Sequence, residues 1–200
     1  MPRRSLGQAA TTALRVGIAA LVMLAGGIAY GVFQYFHSSY WTRVGLAEDQ
    51  PVLFSHRHHA GQLRIDCRFC HASVESAAFA GMPTVATCLG CHRQVLTDTA
   101  LLAPVRRSAE LGVPLRWTRV TRLPDHVHFH HGVHVSRGVD CGVCHGEVAR
   151  MALTAKARSL DMRWCVDCHR EVAPDAGGRE PAPTPTAAAG HLTNCSTCHY

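Results

Sequence analysis

The sequence predicts a mainly helical and irregular fold: one transmembrane helix, then short helices and long loops with little sheet. Three observations predict it. An uncharged apolar run covers Val16 to Phe33 near the N-terminus. All ten cysteines fall into five copies of one motif, C-x-x-C-H. After the apolar run about 160 residues remain, roughly thirty per motif, too few for a conventional side-chain core around each.

The first element is the apolar run, which Gln34-Tyr35-Phe36 extend. At 1.5 Å per residue, residues 16–36 are just long enough to span a bilayer. Arg3, Arg4 and Arg15 precede it. The positive-inside rule then leaves residues 1–15 in the cytoplasm and exports the rest. Tyr35, Phe36, Tyr40 and Trp41 fit an outer aromatic belt. Gly27-Ile28-Ala29 resembles a weak cleavage site. The run is nevertheless longer than the 7–15 residues usual for a signal peptide, so we read a retained anchor. Gly27 and Gly31 form a G-x-x-x-G pair, which permits close helix approach. The expected location is the bacterial cytoplasmic membrane, single-pass, with the body in the periplasm.

The five motifs are Cys67-x-x-Cys70-His71, Cys88-x-x-Cys91-His92, Cys141-x-x-Cys144-His145, Cys165-x-x-Cys168-His169 and Cys195-x-x-Cys198-His199. C-x-x-C-H is the attachment signature of c-type haem. Two thiols one helical turn apart reach the two vinyl groups of one porphyrin, and the adjacent His meets the iron. Disulfides or zinc pairs do not explain a His after the second Cys in every copy. Five covalently bound haem c groups are therefore expected, with His71, His92, His145, His169 and His199 as proximal ligands.

Distal ligands come from an internal repeat. Phe54-Ser55-His56-Arg57-His58-His59 precedes Ile65-Asp66-Cys67, and Phe129-His130-His131-Gly132-Val133-His134 precedes Val139-Asp140-Cys141. Both read F-x-H-x-x-H, then [IV]-D-C-x-x-C-H, and a further motif follows each. His residues at i and i+3 lie on neighbouring parts of one helical face, so the pair can serve two irons on the order of 10–15 Å apart. His56, His59, His131 and His134 are the expected distal ligands. His58 and His130 have no repeat counterpart and are expected to be solvated or to bond propionates. His37 is read as structural. For the fifth distal position the sequence leaves Met151, Met162, His126, His128 and His191 open, with Met151 preferred. Asp66 and Asp140 are expected to cap the short helices that carry their motifs.

The chain divides accordingly into a first di-haem unit (37–93), a connecting or docking segment (94–125), a second di-haem unit (126–171), an Ala/Pro-rich linker (172–190) and a terminal motif (191–200). The basic and apolar stretches Ala103–Arg107 and Pro114–Pro124 read either as a docking surface or as a loop whose arginines pair with propionates. The composition, 47% hydrophobic and 17% charged, excludes a disordered tail. The net charge of +6 comes from nineteen scattered Arg and one Lys, unlike a clustered nucleic-acid surface. Each ferric haem with two ionised propionates adds roughly −1. Five bring the total near +1 and give the arginines partners.

On these residues the chain resembles the pentahaem cytochrome c subunit of alternative complex III, a bacterial quinol-oxidising membrane assembly. The resemblance rests on the anchor, the Pro51-Val52-Leu53-Phe54-Ser55-His56 start, the five motifs, the Pro104–His134 region and Ser159-Leu160-Asp161-Met162-Arg163-Trp164-Cys165. The F-x-H-x-x-H units are also similar to small class III multihaem cytochromes. The Ala/Pro-rich tail departs from the pattern. The resemblance implies polytopic quinol-binding membrane subunits, an iron–sulfur subunit related to molybdopterin oxidoreductases and a monohaem cytochrome c as partners, with no nucleic acid. It implies electron transfer rather than independent catalysis.

Two other functions compete. A stand-alone quinol dehydrogenase places its first haem close to the membrane, whereas about thirty residues separate Phe36 from Cys67. A multihaem reductase needs an open iron position, and the supply of histidines argues against one.

Overall fold

The computed structural model describes residues 6–171 and 192–199. The expected linker at 172–190 and the candidate ligand His191 lie outside the described residues. The chain forms two compact units that meet between Arg43 and Val44.

The first unit is built on α1, Leu6–His37, which contains the expected span. By length and composition it is able to cross a membrane. Its apolar side chains find no partner in the unit: Leu21 is 66% and Met23 77% exposed. Its polar groups are satisfied within the helix instead. Thr11 and Thr12 hydroxyls donate to carbonyls one turn back. A short helix α2, Ser39–Thr42, follows and ends on Arg43 in the left-handed region. The ring of Trp41 packs edge-on against Phe36 at 4.7 Å and tilted against Tyr35 at 5.6 Å. The expected aromatic belt is thus one cluster.

The second unit has short helices and long connections. They are α3 (Cys67–Cys70), α4 (Val85–His92), α5 (Ala103–Leu111), α6 (His131–Ser136), α7 (Cys141–His145), α8 (Met162–Glu171) and α9 (Cys195–Cys198), with a π-helical turn at Arg57–Gln62. Among the described residues there are no strands, only the isolated bridges Val44–Lys156, Ala47–Ala155 and Val127–His199. Among them, too, Val52, Val74 and Val105 are the only buried apolar side chains. A protein core of that size cannot offset the conformational entropy of so long a chain. Apolar groups beside the motifs, such as Leu63, Phe69 and Val143, face outward. An exposed apolar surface of this kind calls for a large apolar partner.

The connecting segment has its own anchors. Pro104 opens α5, where its missing N–H costs nothing. Gly112 closes it at φ 64°, a left-handed position that suits glycine. Arg106 donates to the carbonyls of Thr97 and Thr99, tying α5 to the loop after α4. Gln50 exchanges two hydrogen bonds with the backbone of Thr118, at 2.9 and 3.0 Å. Arg119 lies over the ring of Phe79 at 4.8 Å.

Candidate haem sites

Each motif sits on a short helix with a defined start. The carboxylates of Asp66 and Asp140 accept the N–H of Arg68 and Gly142, at 2.8 and 2.7 Å, and so cap α3 and α7. Both expected caps are therefore present. The same device recurs where the sequence reading had not placed it. Asp161 accepts the N–H of Trp164 at the start of α8, and Asn194 accepts that of Ser196 at the start of α9. Capping satisfies orphan N–H groups of the first turn and holds the two thiols of a motif one turn apart. No two of the ten cysteines form a disulfide. Among the described residues, no three His, Cys, Asp or Glu side chains converge on one point as a bare zinc site requires.

The motif histidines are oriented by backbone carbonyls. Nδ1 of His71 meets Gly81 O at 2.8 Å, that of His92 meets Val95 O at 3.0 Å, and that of His169 meets Leu192 O at 3.0 Å. His199 Nδ1 lies 3.3 Å from His126 O. A carbonyl only accepts, so Nδ1 carries the proton and donates. The neutral ring then presents the lone pair of Nε2, the form that binds a metal. Gly81 offers its carbonyl from φ 80°, and a side chain there would collide with Ser73 Oγ.

Three of the four repeat histidines face these rings. His59 stands opposite His92 with ring centres 6.1 Å apart. His131 stands opposite His145 at 6.4 Å with planes 6° apart, and His134 opposite His169 at 6.1 Å and 27°. Burial first, then the rings of His71 and His59, hold His56 down at about 4, so its ring is neutral. Burial, then His131 and His71, likewise push His145 below the ordinary imidazole range. An imidazole nitrogen binds a first-row metal at about 2 Å. The ring centre lies roughly 1.1 Å behind that nitrogen, given ring bonds of about 1.33 Å. Two imidazoles sharing one iron therefore need ring centres about 6.2 Å apart. The observed pairs meet that spacing, so the residues present fit an axially ligated haem iron.

The phenylalanine of the repeat, missed as a functional residue, positions both distal rings. Phe54 is edge-on to His56 at 4.9 Å and stacked on His59 at 4.3 Å. Phe129 is edge-on to His131 at 4.7 Å and stacked on His134 at 4.7 Å. The residue after each Phe supplies a carbonyl: Ser55 O accepts from His59 Nδ1 at 3.0 Å, and His130 O from His134 Nδ1 at 2.9 Å. His130 thus serves through its backbone. His58 Nδ1 pairs with Gln62 Oε1 and His37 Nδ1 with Phe33 O, away from the motif histidines.

At the fifth motif the ring opposite His199 is that of His126, with centres 5.6 Å apart and planes 21° apart. The Val127–His199 bridge and the His128 N–H to Cys198 O bond, 2.8 Å, hold the two segments together. Met151 lies elsewhere. Its carbonyl accepts the N–H of Arg57 at 2.9 Å, and its methyl group packs over Gly146, next to His145. Met162 opens α8 with its side chain 70% exposed.

The two repeats exchange their supports. Gly132 N–H donates to Ala77 O, the equivalent of Arg57 N–H to Met151 O, because Ala77 and Met151 each lie six residues after a motif His. His131 Nδ1 donates to Ala78 O at 2.8 Å, and His56 Nδ1 pairs with Thr154 Oγ1 at 2.8 Å. Glycines permit the approach: a side chain at Gly61 would strike the carbonyl of Ala149, and one at Gly132 that of Glu75. Arg68 and Val74 from the first repeat share a cleft with Val135, Val139, Asp140 and Cys141 from the second. Burial and then the neighbouring thiol push Cys70 up beside Cys88, and Cys141 up beside Cys67. Burial and then Cys168 and Cys165 do so for Cys144, and burial and then Cys198 for Cys165. The motifs therefore adjoin in the spatial order second, first, third, fourth, fifth.

Residues 127–200 match a family described as cytochrome c7 and related cytochrome c. The chain is 29% identical over 143 residues to the menaquinone reductase multiheme cytochrome c subunit of Nitratidesulfovibrio vulgaris strain Hildenborough, an alignment covering 61% of this chain and 68% of that protein. With one long apolar N-terminal helix and a second unit of short helices, without strands among the described residues, the chain carries a cytochrome c7-like multihaem domain whose cofactor is covalently bound haem c.

Proposed function

We propose that this chain is a membrane-anchored periplasmic pentahaem cytochrome c that relays electrons for a quinol-oxidising membrane assembly of the alternative complex III type. The single observation that carries the reading is the opposed imidazole pairs. An iron held between His59 and His92, or between His131 and His145, has no open position for a substrate, as a carrier requires. The haem supplies one-electron exchange between ferric and ferrous iron when bound. The chain's own residues do the rest. The ten motif cysteines would attach it, and the five motif histidines would each ligate one iron. His56, His59, His131 and His134 would supply a second ligand at four sites. At the fifth site we assign His126, opposite His199, in place of Met151. The relay order follows the order in which the motifs adjoin.

The anchor and the relative's membership of a menaquinone reductase support a partner that handles quinone at the membrane. The partners we expect are polytopic quinol-binding subunits, an iron–sulfur subunit related to molybdopterin oxidoreductases, and a monohaem cytochrome c that passes electrons on toward a terminal oxidase. That relative also favours a second reading, in which electrons run the other way and reduce menaquinone. Purification from detergent-solubilised membranes tests both. Co-purifying quinol-binding subunits and haem reduction by added quinol support the first direction. Haem oxidation by added quinone, without reduction by quinol, supports the second. Quinol oxidation by this chain alone would overturn the subunit reading.

A further inference from the structure

We propose that Thr154 is a positioning residue for His56, and that it makes the first haem redox-distinct from its pseudo-symmetric partner at the third motif. The inference rests on the ligand assignment above. Three of the four repeat histidines donate Nδ1–H to a backbone carbonyl: His59 to Ser55, His131 to Ala78 and His134 to His130. His56 alone among these four meets a side-chain hydroxyl, Thr154 Oγ1 at 2.8 Å, in a part-buried position 98 residues away in sequence. The two sites share the packing of the repeat phenylalanine and one backbone hydrogen bond, although a π-helical turn follows His56 and an α-helix starts at His131. Phe54 and Phe129 pack alike on their histidines, and Arg57 and Gly132 donate to equivalent carbonyls. The acceptor is the feature that differs at the ring itself.

With Nε2 committed to iron, Nδ1 keeps its proton and Thr154 Oγ1 accepts. A hydroxyl is a weaker acceptor than an amide carbonyl. It draws the Nδ1 proton less and leaves the imidazole a poorer electron donor than His131. Outer-shell partners of a ligating histidine tune the metal in this way. A poorer donor favours the ferrous state, so the first haem should be reduced more readily than the third. The lever is also separable from the fold, because a side chain supplies it, whereas carbonyl acceptors cannot be removed by substitution.

The test is optical redox titration of the full-length holoprotein, with haem content checked by intact mass. Thr154→Val removes the acceptor. It should raise the reduced-to-oxidised ratio of one haem about three- to tenfold at a fixed potential, the equivalent of one hydrogen bond. Thr154→Ser should titrate as the parent, and Thr154→Asp should shift the same haem the opposite way. Conversion of that haem to high spin in Thr154→Val, with Thr154→Ser low-spin, also supports the positioning role. His56→Ala separates the two layers of the argument. If it yields one high-spin haem while Thr154→Val and Thr154→Asp titrate as the parent, the ligand assignment stands and the Thr154 proposal falls. If His56→Ala stays fully low-spin, the ligand assignment falls and the proposal with it.

Discussion

Six of the histidines proposed as iron ligands share one local feature, a backbone carbonyl for the Nδ1 proton. His59, His71, His92, His131, His134 and His169 each donate it to a carbonyl, at 2.8 to 3.0 Å. His59→Ala removes one distal ring. The variant should keep all covalent haem and show one high-spin centre by visible and EPR spectroscopy; an unchanged low-spin spectrum would refute the pairing with His92. The same reasoning separates His126 from Met151. His126→Ala should produce one high-spin haem, and Met151→Leu should leave every haem low-spin. The opposite pattern would restore the thioether. The sequence favoured Met151 because a methionine between two haem motifs has the right chemistry. Nothing local revealed that His126 would be carried onto His199 by a bridge across more than seventy residues.

At the scale of elements, motif and cap are local and were therefore legible. An Asp before C-x-x-C-H caps the helix whatever the rest of the chain does. Asp140→Ala should cost about 0.5–2 kcal/mol of stability, read as a lower Tm of the holoprotein, while Asp140→Asn should retain most of it. The F-x-H-x-x-H pattern was also visible, but only as ligands. That Phe54 and Phe129 fix the rings depends on packing that spacing does not encode. Least legible was the exchange between repeats, because Thr154 and Ala78 reach histidines far away in sequence. Gly132→Ala tests that exchange. Its new methyl group would sit 2.7 Å from Glu75 O, so overpacking should destabilise by about 1–3 kcal/mol. The same change at Gly17, where nothing lies within 4 Å, should be neutral.

Across the whole molecule, three buried apolar side chains among the described residues are not a core. The interior is left to the prosthetic groups, which is why length and composition pointed to short helices and loops. Haem charges would matter at the same scale, since five haems at roughly −1 each would bring the formal +6 down to about +1 and offer the scattered arginines propionate partners. The exposed apolar faces of α1 make the first unit long and apolar enough to cross a membrane. Replacing residues 1–43 by a cleavable export signal should release the haem unit into the soluble periplasmic fraction with its haem content unchanged. The central claim is that every site is filled by two axial ligands, so that this chain carries electrons and binds no substrate at iron. Quantitative EPR spin counting on the oxidised full-length protein tests it most directly. The account predicts five low-spin ferric centres per chain and no high-spin signal. A high-spin centre in stoichiometric amount, or fewer than five centres in a fully loaded protein, would contradict it.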